Sequence, residues 1–293
     1  MLHHDRRRFL TTAAAGLISV PATSQGLFAV APRPAEAKFR FGLVTYLWGQ
    51  DMDLSQVIDA CTRSGLAGVE LRTEHKHGVE PSLSKAQRAE VRKRFADSPV
   101  TLVGYGSNAQ FHENDPARLK ANIELAKQYI QLMHDCGGSG VKVKPNSFVR
   151  DVPREKTIEQ IGKALNEIAA CGQEFGQQIR VEVHGPGTSE LPVMKAIFDV
   201  ADHPNATVCW NSNPEDLKGD GLEHNFHLVS GRFGKTAHVR ELTGTDYPWS
   251  QLFGLFRSIR YDGWVLLEAR GNPADKIAAL IEQRQAFEKL AAG

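Results

Sequence analysis

At 293 residues, with 41% hydrophobic content and a formal net charge of +1, the chain can bury one large core. It offers no electrostatic footprint for nucleic acid or an anionic membrane. Four cysteines, none closely spaced, exclude a disulfide scaffold and a zinc knuckle, and small molecules are the expected partners.

The chain opens with MLHHDRRRFLTTAAAGLISV. In it Asp5-Arg6-Arg7-Arg8-Phe9-Leu10 precedes a moderately apolar run, and Ala35-Glu36-Ala37 closes the segment with small residues at the cleavage spacing. Residues 1–37 therefore read as a twin-arginine export signal, which predicts a periplasmic protein. Pro21 and Thr23-Ser24-Gln25 interrupt the apolar run too much for a stable membrane span. The 256 residues of 38–293 then match the usual size of a single α/β barrel.

From Phe39 onward, strand and helix alternate eight times. Short β-branched or apolar runs predict strands at 40–48, 68–72, 100–106, 140–145, 179–184, 206–212, 235–241 and 263–269. Helical periodicity fills the intervals, as in Leu119, Ile123, Ala126, Ile130 and Met133, or Ile158, Ile161, Leu165 and Ile168. Eight βα units in this length predict a single (β/α)8 TIM barrel rather than an open sheet, and no G-x-G-x-x-G follows the first strand. The least regular unit is 214–234, whose helix is expected to be short. Cys61, Cys136, Cys171 and Cys209 read as buried packing thiols, with a Cys136–Cys171 bridge left open.

Period-two alternation in Val181-Glu182-Val183-His184 puts the valines on the helix side and turns Glu182 and His184 into the barrel. The same phase turns inward Glu70 and Arg72, Lys142 and Lys144, Asn211, His238 and Arg240, and Glu268 and Arg270. Charges so placed must neutralise one another, bind a cation or bind substrate. Glu70 with Lys142 is the expected structural ion pair.

Glu182, Asn211, His238 and Glu268 each close one strand, and they are 29, 27 and 30 residues apart. That spacing is one βα unit, so successive strands deliver one ligand each to a common point at the C-terminal end of the barrel. Carboxylate, imidazole and amide oxygen suit a divalent metal, Mn²⁺ first, with Mg²⁺, Co²⁺ and Zn²⁺ as alternatives.

The motifs VEVHG, VCWNSN, HVRE and YDGWVLLEAR, in this order on the last four strands, resemble the xylose isomerase-like TIM-barrel superfamily. This is the sugar phosphate isomerase/epimerase group, which includes tagatose 3-epimerase and inosose dehydratase. The resemblance spans residues 39–290. Its metal quartet of Glu, Asp, His and Glu implies Glu182, Asn211, His238 and Glu268 here, with Asn211 standing where the family has Asp. An asparagine can ligate through its carbonyl oxygen but brings no negative charge, which lowers metal affinity. The resemblance also implies that Glu182 and Glu268 serve as the acid/base pair of a sugar or keto-sugar isomerase or epimerase working through an enediolate.

His184 is read as a substrate contact or as a satisfied core histidine. Lys144 and Arg270 are read as contacts to substrate oxygen or phosphate, or as structural partners of a glutamate. Trp48, with Tyr46, is read as an apolar pocket wall or as packing. His75-Lys76-His77, His112 and Glu113 fall in loops on the ligand side, as lid residues or as solvated loop. Two alternatives stay open on the same site: a lyase or hydrolase of 3-keto-glycosides, and a non-catalytic carbohydrate-binding barrel with a decayed metal site. A metal-assisted phosphodiesterase would want further His and Asp ligands and a basic groove, and neither is evident. A homodimer remains open.

Overall fold

The computed structural model describes residues 39–293, and the expected export signal lies outside them. Eight strands form a closed barrel: β1 (Arg40–Val44), β2 (Gly68–Arg72), β3 (Thr101–Gln110), β4 (Gly140–Lys144), β5 (Gln178–Glu182), β6 (Ala206–Asn211), β7 (Phe233–Val239) and β8 (Trp264–Leu267). Each is parallel to both neighbours, and β8 pairs back to β1 with Phe41 opposite Val265. The architecture is a single (β/α)8 TIM barrel.

Helices α2 (Leu54–Ser64), α3 (Lys85–Ala96), α4 (Pro116–Cys136), α5 (Arg154–Glu174), α6 (Leu191–Val200), α7 (Gly221–Val229), α8 (Trp249–Ser258) and α9 (Lys276–Ala292) cover the outside. Their ends are set locally. Asp53 and Gln56 cap α2 reciprocally, and Gly65 closes it in the left-handed conformation at φ 73°. As expected, the unit after β6 is irregular: single 3-10 turns at Pro214–Leu217 and Ser230–Arg232 flank the nine-residue α7. Among the described residues no helix is long and apolar enough to cross a membrane.

One expectation fails at β1. The strand stops at Val44, because Thr45 adopts helical angles and its carbonyl accepts the Gly49 N–H at 2.8 Å, starting the short helix α1 (Tyr46–Gly49). Residues 45–48, apolar enough to read as strand, are instead the first turn of the loop above the barrel.

Alternation separates two environments. Outward residues such as Leu43, Val69, Val143, Val181 and Val265 join the large core shared with the helices. Inside the barrel, Val44, Val103, Trp264 and Leu266 form a small separate apolar layer. Arg180 is also buried there; its guanidinium donates to the Val103 carbonyl (3.0 Å) and to the Ser139 hydroxyl (2.9 Å). Only glycine leaves room for it at position 140, where a Cβ would come within 2.7 Å of the guanidinium carbon.

All four cysteines are free thiols, so no Cys136–Cys171 bridge forms. Burial pushes the thiols of Cys61 and Cys136 up to about 12, which makes them inert packing groups.

Candidate active site

At the C-terminal ends of the strands the interior turns from apolar to charged. Glu182 closes β5, His238 is the penultimate residue of β7, and Glu268 follows β8; all three are buried. One ligand atom from each lies within 4.8 Å of the others. His238 Nδ1 stands 3.9 Å from Glu182 Oε1 and 4.0 Å from Glu268 Oε2, and it has no hydrogen-bond partner.

Each carboxylate is held from behind by a cation. The Lys142 ammonium donates to Glu182 Oε2, and Arg72 donates to Glu268 Oε1 at 3.0 Å. The other oxygens, Glu182 Oε1 and Glu268 Oε2, are the two that face His238 Nδ1. Arg72 itself is steadied by the Tyr46 ring, 4.9 Å from its guanidinium carbon.

The expected Glu70–Lys142 pair is replaced by a different pairing. Lys142 reaches across to the neighbouring β5 carboxylate, and Glu70 Oε1 lies 3.1 Å from His238 Nε2. That contact is close and polar, without the alignment of a full hydrogen bond. Burial alone would raise the Glu70 and Glu182 carboxyls. The His238, Lys142 and Arg180 charges around Glu70, and Lys142 with His238 around Glu182, more than offset it and hold both below the usual carboxylate range. Burial alone would lower the His238 imidazole, yet the Cys209 side chain and the Glu70 and Glu182 carboxylates hold it well above its ordinary value.

Asn211, the remaining residue of the expected quartet, lies at the same point. Its amide nitrogen donates to Glu182 Oε1 at 3.1 Å, so its nitrogen rather than its carbonyl oxygen faces the cluster.

The other expected contacts are distributed unevenly. Lys144 is half-buried at the end of β4, and its ammonium donates to Asn108 Oδ1 at 3.2 Å. His184 is half-buried beside Glu182 with Nδ1 unpartnered, and burial lowers its pKa, which keeps it neutral. Arg270 is exposed in the loop after β8, so the inward phase ends at Glu268. Trp48 is buried, and its indole N–H is spent on the Gly271 carbonyl at 2.7 Å, tying α1 to the loop after β8.

The loop after β2 is pinned rather than solvated. His77 is buried, and its Nε2 donates to the Arg72 carbonyl at 2.8 Å while Nδ1 accepts from Val79 N–H. Burial, helped by His77 and Arg72, lowers His75 to about 4. His112 and Glu113 lie half-buried after β3, where Glu113 accepts from the Gln110 amide. The sequence reading missed Arg180 and the Glu70–His238 contact. Arg180 shares the period-two phase of Glu182 in QIRVE, which was the available signal.

The residues fit a divalent cation. His238 Nδ1 is a buried, orphaned nitrogen between two carboxylate oxygens, and the set of two carboxylates and one imidazole is a normal donor set for Mn²⁺ or Zn²⁺.

The family of this fold follows from sequence comparison. The chain matches the xylose isomerase-like TIM barrel family over residues 58–290 and belongs to it. Among curated proteins none matches the chain.

Three solved structures illustrate the likeness in fold. The 3-keto-D-glucoside 4-epimerase YcjR from E. coli superposes with a TM-score of 0.71 at 12% identity, over 87% of this chain and 100% of that one. A D-psicose 3-epimerase crystallised in the presence of D-fructose gives 0.73 at 16% identity, covering 87% and 100%. The IolI protein, which carries a zinc atom, gives 0.72 at 13% identity, covering 87% and 98%.

Proposed function

We propose that this protein is a divalent-metal-dependent isomerase or epimerase of a sugar or keto-sugar. The observation that carries the reading is the buried Glu182–His238–Glu268 cluster, whose ligand atoms lie within 4.8 Å of one another at the C-terminal mouth of the barrel. Functional groups of this fold gather at that mouth. The sugar epimerases among its structural neighbours agree with the reading.

Glu182, His238 and Glu268 would hold the ion, Mn²⁺ by preference and Mg²⁺, Co²⁺ or Zn²⁺ otherwise, with Asn211 adding its carbonyl oxygen once its amide turns over. Such an ion supplies Lewis-acid stabilisation of the negative charge that develops on a substrate carbonyl oxygen.

The chain's own groups do the proton work. Glu182, kept ionised by Lys142, is the base that takes the proton next to the carbonyl. Glu268, just after β8 and beside Arg72, would enter the step as the carboxylic acid and deliver its proton from another side of the pocket, with solvent exchange then resetting both glutamates. Return to the opposite face of the same carbon inverts it, and return to the neighbouring carbon, with the hydroxyl proton passing from one oxygen to the other, isomerises the sugar. His184 and Lys144 would contact substrate oxygens, and Arg270 would do so from the rim. The export signal read in residues 1–37 would place the enzyme in the periplasm, where free sugars are the expected substrates.

A second reading uses the same residues: loss of a leaving group after the same proton removal, as in a lyase of 3-keto-glycosides. The neighbour that acts on a 3-keto-D-glucoside favours keeping it.

The test is solvent exchange in D₂O, with the Mn²⁺-loaded protein and a panel of keto-sugars followed by proton NMR. Deuterium should enter at the carbon next to the carbonyl in wild type and not in Glu182→Gln. No exchange with any member of the panel, under full metal loading, would remove the proposal.

A further inference from the structure

Charge in the barrel interior does not balance. Besides the His238 imidazole, four cationic side chains, Arg180, Lys142, Arg72 and Lys144, face three carboxylates, Glu70, Glu182 and Glu268. Lys142 and Arg72 are each paired with one of those carboxylates. Arg180 lies deeper, satisfied by backbone and hydroxyl oxygens.

Lys144 is the cation left over. Among the described residues it forms no ion pair, and its ammonium meets only the neutral Asn108 amide oxygen. Burial, then repulsion from Lys142, lowers its pKa to about 8, so it still carries its charge at neutral pH under electrostatic stress. A divalent ion held by Glu182, His238 and Glu268 would add to the positive excess. Glu182 and Glu268 stabilise the charge only from a distance, and a half-buried cation that forms no ion pair is costly unless the ligand supplies a partner.

Its position matches that of a substrate contact. Gln110 pairs with Lys144 across β3 and β4, and Val143 opposite Val181 brings Lys144 level with Glu182. The free Nδ1 of His184 lies just beyond Glu182 on the same face.

The usual phosphate position of such a barrel is closed by the chain's own carboxylates. Barrels of this type hold phosphate in the loops after strands 7 and 8 and at the following helix N-terminus. Here the backbone donors after β8 and at the start of α9 are already taken. Glu241 accepts from the N–H groups of Arg270 and Gly271 at 2.8 and 2.5 Å, and Asp275 accepts from those of Ile277 and Ala278 at 2.9 and 3.0 Å.

We infer that the substrate is a sugar acid, a polyhydroxy keto compound whose carboxylate is bound by Lys144 beside the proposed metal centre. The inference rests on the isomerase or epimerase reading and names the substrate class of that same site.

The test is calorimetric titration of the Mn²⁺-loaded protein with 2-keto-D-gluconate against D-fructose, with D-glucuronate against D-glucose, and with D-fructose 6-phosphate. Each acid should bind at least about tenfold more tightly than its neutral partner, the scale of one charge-assisted hydrogen bond. That ratio should collapse in Lys144→Met and return in Lys144→Arg. Equal affinities, no binding of either acid, a ratio unchanged in Lys144→Met, or tightest binding of the sugar phosphate would each overturn the inference. Metal content read on the same samples separates the two levels. Loaded protein without an acid preference removes the sugar-acid inference alone, whereas protein that takes up no metal removes the metal-dependent reading, with the acid-to-neutral ratio still measurable.

Discussion

Glu70 Oε1 lies 3.1 Å from His238 Nε2, deep inside the barrel, with both residues fully buried. With Glu70 set against Nε2, the other ring nitrogen, Nδ1, faces Glu182 and Glu268. Partners of this kind orient a metal-binding histidine, and their loss commonly costs about 10- to 100-fold in metal affinity. Glu70→Gln should therefore keep the fold and weaken Mn²⁺ binding by that order, measured by competition with a metal indicator. An unchanged affinity would mean that His238 is positioned by other contacts.

The Lys142 ammonium donates to Glu182 Oε2. Lys142→Met removes the cation and strands a buried carboxylate, a change that typically costs about 3–5 kcal/mol. Thermal unfolding should show the loss in chelator, and saturating Mn²⁺ should recover more stability in the variant than in wild type. Equal metal responses in the two proteins would show that Lys142 and the ion do not share Glu182.

Asn211→Asp places a second carboxylate next to Glu182 Oε1, where the amide now donates at 3.1 Å. Repulsion should lower the melting temperature in chelator, while the added charge tightens metal binding. The gap in melting temperature between loaded and chelated protein should widen relative to wild type. A narrower gap would indicate that residue 211 stays out of the ligand set.

Asp216 is a buried carboxyl in the unit after β6. Its Oδ2 accepts from the Tyr247 hydroxyl at 2.7 Å and from Asn213 N–H at 2.9 Å, while Oδ1 has no partner. Burial pushes its pKa up to about 7 from an ordinary 3.8. Folding thus favours the protonated acid. This contribution is complete below about pH 4 and fades as pH rises toward 7, by about 4 kcal/mol at most. Asp216→Asn, which resembles the protonated acid, should flatten the fall in stability between pH 4 and 7 in denaturant titrations. The same slope in the variant would assign the effect to another group.

The barrel and the convergence of Glu182, His238 and Glu268 at its mouth were legible because both rest on period. Strands repeat at the length of one βα unit, and alternation in Val181-Glu182-Val183 fixes which side chains enter the barrel. Pairing inside the barrel was not legible. Lys142 is long enough to reach either Glu70 or Glu182, and the choice depends on strand stagger, which sequence does not encode locally. The end of β1 was misread because Tyr46-Leu47-Trp48 is apolar in either conformation, and only the helical backbone of Thr45 decides between them. Arg270 was misplaced because alternation lapses where β8 gives way to loop.

The central claim is that Glu182, His238 and Glu268 hold one divalent metal ion. Elemental analysis of protein purified after Mn²⁺ loading and desalting, wild type beside Glu268→Gln, addresses it directly. The account predicts about one metal ion per chain in wild type and a large loss in the variant. A metal-free wild type, or equal occupancy in both proteins, would contradict it.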